Sequence, residues 1–343
     1  MGAEQGQRMP IEIGLGIQSD KRPGEYAAIA RTAERYGIDV LSVFSDLLFQ
    51  PPIAALLEMA AATSLVRLGA ACWNPYTLHP YEIAGQLAAL DLASDGRAYL
   101  GLAKGTWLDA IGREQPKPVG HLRDAAGFIY ALLSGTGEGF DGEYFALQPG
   151  VALRYPVLRT RPPLLLGSWG PQGAALAGRI ADEMKIGGTA NPAMVAVMRD
   201  RMAPGAARAD RSADDVRLVL GAVTVVDRDG AAARSAARRE VAMYLDAVAE
   251  LDPTVEVPAD LLAGVRDRLR DGDHEAAGRA IPDDILDLFA FAGTPEHVAA
   301  QAQAIIDAGA DRVEFGTPHG LTDLGGVTLI GEAVVPLLDR TRR

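Results

Sequence analysis

Two rhythms of apolar residues alternate along this chain. Short apolar runs of strand length recur, and stretches with apolar residues three and four apart, the spacing of one helix face, lie between them. The runs are Ile11 to Ile17, Ile38 to Phe44, Val66 to Cys72, Arg97 to Ala103, Pro163 to Gly167, Asp182 to Ile186, Val216 to Val226 and Arg312 to Phe315. Helical stretches begin near Pro23, Pro51, Tyr81, Leu122, Pro171, Pro192, Ala231 and Thr294, and a final helix ends the chain. Strands that are apolar on both faces suit a sheet covered by helices. Eight strand–helix pairs without a clear linker predict one α/β domain, a (β/α)8 TIM barrel over residues 10–343.

Two stretches depart from the rhythm. Gly135 to Arg154 alternates glycine with Phe140, Tyr144 and Phe145, which predicts a small exposed hairpin. Asp252 to Asp284 is charged, carries Pro253 and Pro258, and has a helical segment around Leu261 to Leu269. It reads as a helical insertion over the barrel mouth. Thr294-Pro295-Glu296 reads as a helix start, with threonine at the cap and proline at the first position.

Composition narrows the class. The chain has 343 residues, 48% of them hydrophobic but only 6% aromatic, so the expected core is close-packed from small aliphatics. A net charge of −12 argues against nucleic-acid and anionic-membrane partners. Any anionic ligand must therefore be held by local positive features. The single Cys72 excludes an intrachain disulfide and fits a reducing cytoplasm. No apolar run is long enough to span a bilayer. Met1 to Met9 is polar and no secretory signal; a disordered extension is expected there.

In such a barrel the chemistry gathers on the loops that follow the strands. Asp46, Cys72 to Tyr76, Lys104 to Trp107, Gly167 to Gln172, Gly187 to Thr189 and Thr317 to Gly320 all stand there. Each alone is an ordinary turn; together they suggest a shared pocket. Ser168-Trp169-Gly170-Pro171 is the best candidate anion site, because glycine lets backbone approach and the next helix offers unpaired N–H groups. Gly187 and Gly188 offer a second contact. Asp46 is the first choice for a catalytic polar group, against the plainer reading of a helix cap. Lys104 either holds an anion or is simply solvated. Trp73, Tyr76, Trp107 and His319 are candidates for a substrate wall, with core packing as the alternative, and His79 reads as a helix-start residue. No metal-ligand spacing, Walker loop, dinucleotide fingerprint or serine elbow is present in the sequence.

Asn74-Pro75-Tyr76, His79-Pro80, Leu90-Asp91, Ser94-Asp95-Gly96-Arg97 and Leu100-Gly101-Leu102 together resemble the luciferase-like superfamily of (β/α)8 flavin enzymes. Within it the chain is similar to methylenetetrahydromethanopterin reductases and related oxidoreductases that use coenzyme F420. The resemblance implies a cytoplasmic, homodimeric oxidoreductase that moves hydride between the deazaflavin and a small molecule, with C=C or C=N reduction favoured. It implies a cofactor phosphate on Ser168 to Pro171 and a cofactor site completed by Asp46, Ala71, Cys72, Asn74, Gly105, Thr106, Gly167, Gly187 and Gly188. It also implies a non-proline cis peptide at Ala71-Cys72. Two features depart from many F420-dependent relatives: Leu47 stands where histidine follows the aspartate, and Lys104 to Trp107 replaces an acidic residue. An FMN-dependent monooxygenase and a non-catalytic flavin-binding barrel are the alternatives.

Overall fold

The strands form where the apolar runs predict them, and their ends are set by glycine and proline. In chain order they are β1 (Glu12–Ile17), β2 (Val40–Val43), β3 (Arg67–Ala70), β4 (Leu100–Ala103), β5 (Phe140–Asp141), β6 (Ala146–Leu147), β7 (Leu164–Gly167), β8 (Glu183–Gly187), β9 (Arg217–Val226), β10 (Ala290–Gly293) and β11 (Arg312–Gly320). The computed structural model describes residues 10–341, so the N-terminal extension expected at residues 1–9 lies outside it. Parallel pairing runs in the order β3-β2-β1-β11-β9-β8-β7-β4. Bridges Leu68–Ala98 and Trp73–Leu102 join the two ends and close the barrel. Five helices, Pro52–Ala62, Pro80–Ala93, Pro118–Ser134, Pro171–Ile180 and Pro295–Asp307, begin with proline, whose missing N–H would have had no partner there. β5 and β6 form the expected side hairpin.

Two expectations change. β11 runs on to Gly320 through a cis Thr317–Pro318 bond and a shift in register, whereas the apolar run stops at Phe315. The sheet also has a ninth strand. β8 pairs with β9 only as far as Gly221, and β10 takes up the vacated edge at Val223 to Val226. Helices Gly230–Ala249, Ala259–Arg270, His274–Arg279 and Asp283–Phe289 are strung between β9 and β10. Asn191, four residues past the end of β8, donates from Nδ2 to Asp252 Oδ2 at 2.8 Å, which holds this module at the C-terminal rim.

Small aliphatics do fill the layer between sheet and helices, but the barrel axis is charged. Glu12 takes ion pairs from Arg67 at 2.9 Å, Arg217 at 3.2 Å and Arg312 at 3.4 Å. Glu183 pairs with Arg67 and, at 2.8 Å, with Arg312. Above them Lys185 pairs with Glu314, whose other oxygen accepts from Ser42 Oγ at 2.6 Å. Ser42 also shares a hydrogen bond of 2.7 Å with Tyr99 Oη. Side chains from β1, β2, β3, β8, β9 and β11, with Tyr99 just before β4, can meet in this way only inside the ring. Room for them comes from glycines on neighbouring strands. A Cβ on Gly69 would lie 2.5 Å from the Tyr99 ring, and one on Gly14 3.2 Å from Glu314 Cγ. Such buried charges persist because they are paired. Burial alone would raise Glu183; Arg312 and Arg67 outweigh it and hold its pKa near 2.

Candidate active site

All barrel strands point the same way, so the loops after them share one rim, and several contacts draw that rim together. A Cβ on Gly167 would lie 3.2 Å from Cys72 Sγ, and one on Gly105 3.1 Å from the Asn74 amide. Ser168 N–H donates to Lys185 O at 3.2 Å, and Trp169 Nε1–H donates to Gly187 O at 3.1 Å. The Ala71–Cys72 peptide is cis, at the position the family resemblance implied. Gly188 and Thr189 both donate to Gly221 O, at 2.7 and 3.1 Å, which ties the turn after β8 to β9.

The anion candidate has the required shape. Helix Pro171–Ile180 starts at Gly170 with no side-chain cap, and a Cβ on Gly170 would meet nothing within 4 Å. The first-turn N–H groups and the positive end of the helix dipole are thus left to an incoming anion. Arg201 fixes the approach by donating to Trp169 O at 2.7 Å. Gly187 likewise faces open space.

Asp46 stands past the end of β2 with its surface open to solvent at the mouth but protein crowded around it on the other sides, and it accepts from Gln18 Nε2 at 3.0 Å. Burial by the surrounding walls raises its pKa; the Gln18 hydrogen bond and the Lys185 charge act against that rise. Cys72 is pushed up to about 12, chiefly by burial, so it rests as a thiol and not a nucleophile. Lys104, Thr106 and Trp107 are exposed, on a loop that Gln115 holds through Lys104 O and, at 3.1 Å, Gly105 O.

Other candidates stand elsewhere. Trp73 is 1% exposed and packs in the core, because the chain continues past Cys72 as a bridge to β4. His319 is fully buried within the extended β11, beside the backbone of Gly16 and Phe315, with its pKa lowered to about 4 by burial. Tyr76 is buried, donates to Pro116 O at 2.6 Å and stacks on His121, so it braces a loop. Asn74 Oδ1 accepts from Tyr76 N–H, Thr77 N–H and Thr77 Oγ1, which uses that oxygen to shape its own turn. His79 caps its helix, accepting from Tyr81 N–H at 3.1 Å. Lys185 and Glu314 lie inside strands and so are not among the loop residues that the sequence offers as candidates. Their signal was present: charged residues at every second position of β8 and β11, in step with Gly187.

Among the described residues there is no metal-binding cluster and no helix long and apolar enough to cross a membrane. A depression of about 360 Å³ on the helical module between β9 and β10 is lined by Arg238, Glu275, Arg279 and Asp283. Its arginines are already paired with its acids.

A closed parallel barrel with a glycine-lined mouth and an open helix terminus defines a barrel whose C-terminal rim can accept an anionic ligand. The luciferase-like monooxygenase family model matches residues 6–312, and the chain belongs to that family. It is 28% identical over 341 residues to 5,10-methylenetetrahydromethanopterin reductase of Archaeoglobus fulgidus, covering 96% of this chain and 100% of the relative. The coenzyme F420-dependent tetrahydromethanopterin reductase structure from Methanopyrus kandleri superposes with a TM-score of 0.88 at 24% identity, over 96% of this chain and 100% of that one. The oxygenating constituent of 3,6-diketocamphane monooxygenase from Pseudomonas putida, solved with FMN, gives a TM-score of 0.69 at 15% identity. It covers 97% of this chain and 100% of its own.

Proposed function

We propose that this chain is a coenzyme F420-dependent oxidoreductase that reduces a C=C or C=N bond of a small organic substrate. The observation that carries the proposal is the uncapped helix terminus at Gly170, open above and aligned on the same rim as Asp46. The similarity to F420-dependent reductases along nearly the whole chain supports the choice of cofactor.

The deazaflavin supplies the hydride chemistry when bound. Ser168, Trp169, Gly170 and the first turn after Pro171 would hold its phosphate, with Arg201 keeping the loop in place. Gly187 leaves room for a planar ring, Gly167 lets Cys72 pack close beneath it, and Asn74 and Gly105 close one side. Its acidic tail would lie in solvent near the mouth, which suits a chain of net charge −12. Asp46 is the proton donor in this reading: it stands at the mouth, burial raises its pKa from the ordinary carboxylate value, and Leu47 offers no ionisable group. Lys104 and Trp107 are placed to meet the substrate, and a homodimer belongs to the same proposal.

The test is a titration of purified protein with F420 and with FMN, read by fluorescence and absorbance. Tight F420 binding with weak FMN binding is expected. The reverse would support the monooxygenase reading that the FMN-bound neighbour favours. Binding followed by no oxidation of reduced cofactor by any acceptor would support a carrier.

A further inference from the structure

The barrel axis carries charge that the proposed chemistry has not used. Four cations, Arg67, Lys185, Arg217 and Arg312, meet three carboxylates there, Glu12, Glu183 and Glu314. Lys185 is the cation nearest the mouth. Side chains on a strand alternate, so Lys185 and Gly187 share the inner face, one step of roughly 6.6 Å apart. Its Nζ also lies 5.2 Å from the centroid of the Phe44 ring, two residues before Asp46. Glu314 does not cancel it outright, because the same carboxylate is shared with Arg312 Nε at 4.0 Å.

We propose that Lys185 is a positioning residue for the redox site: its ammonium, held by Glu314 one step below the open floor at Gly187, sets a positive potential that favours a ring carrying negative charge. This inference rests on the reading of the mouth as a deazaflavin or flavin site. A bound ring in its hydride-carrying state would hold two more electrons and one more proton than the oxidised ring, hence one added negative charge; in the substrate-reducing direction this is the form that would wait at the mouth to give the hydride up. A cation fixed below the ring stabilises that charge without reorganising, and it does so in a dry interior where it is poorly screened. The charged groups facing Lys185 are Glu314 and Arg312 from β11 and Asp46 after β2. Tyr99, just before β4, is neutral, since burial drives its pKa well above the ordinary range. Asp46 and Cys72, the two titratable groups of the floor, both feel the Lys185 charge.

Cys72, the single cysteine, makes the field measurable in ligand-free protein. The rate of Cys72 alkylation by iodoacetamide is followed between pH 8 and 11 by mass spectrometry, at about tenfold in thiolate per unit of pKa. Lys185→Met is expected to slow alkylation severalfold, Glu314→Gln to accelerate it, and the double variant to return near wild type. The double variant, which buries no unpaired charge, keeps the series decisive if a single variant fails to fold, since it is then compared with the remaining one. In the loaded enzyme, Lys185→Met is expected to lower the midpoint potential of bound F420. Unchanged alkylation across the folded variants overturns the proposal, and so does a shifted thiol with an unchanged potential. A wild type that binds neither F420 nor FMN removes the functional reading instead, and the thiol series still decides whether Lys185 sets the field.

Discussion

Glycine serves opposite ends in the two halves of the barrel. In the lower half its missing side chain is filled by a neighbour: Gly101 lies where a Cβ would sit 2.0 Å from Ala70 O, and Gly69 gives its space to Tyr99. At the mouth, Gly170 and Gly187 face nothing within 4 Å. The lower vacancies are occupied by the protein itself and bear on stability. The upper ones leave backbone open, and in the proposed function they bear on binding.

The sharpest break of this contrast is Gly101→Val, for which no folded protein is expected at 25 °C by circular dichroism. Arg312→Met leaves Glu12 and Glu183 short of a partner, and chemical denaturation should show a loss of about 3–5 kcal/mol. At the mouth, Asp46→Asn should cut steady-state turnover roughly 100-fold while the thermal midpoint stays close to wild type. Asp46 donates only in its acid form, so turnover should fall as pH rises through its raised pKa, and Lys185→Met should move that limb to higher pH. Gly170→Asp offers the helix a good cap, worth a few tenths of a kcal/mol. The same carboxylate repels the cofactor phosphate, and F420 affinity by fluorescence titration should fall about tenfold, one decade for roughly 1.4 kcal/mol.

The smallest effect concerns His319, whose folded pKa of about 4 lies below the ordinary 6.5. Between those values the unfolded chain binds the extra proton and the folded one does not. Stability is therefore full above pH 6.5 and declines as pH falls toward 4, ahead of the loss of Glu183 between pH 4.5 and about 2. Denaturation midpoints at pH 7 and 5 should differ in wild type and less so in His319→Asn.

The barrel and the anion loop were legible because proline marks the helix starts and apolar runs mark the strands. The open terminus at Gly170 follows directly from Ser168-Trp169-Gly170-Pro171. The charged axis was harder to read, since Glu183, Lys185, Arg312 and Glu314 sit inside otherwise apolar runs, and only barrel closure brings them together. Trp73 and His319 take the core-packing alternative for one reason: each lies past the end of its apolar run, yet the sheet continues through it. β10 has only Ala290 to Gly293, reached directly from a helix, and no turn residue announces it.

The chain leaves the barrel after Val226 and re-enters it at Ala290, and these ends are neighbours, since β10 runs beside the end of β9 as far as Gly293, whose O accepts from Asp227 N–H at 3.1 Å. Everything between them is a handle with its two feet side by side. Such a handle can be lengthened, shortened or exchanged without disturbing the register from Arg217 to Arg312. New specificities can be written there while the redox machinery below keeps its shape.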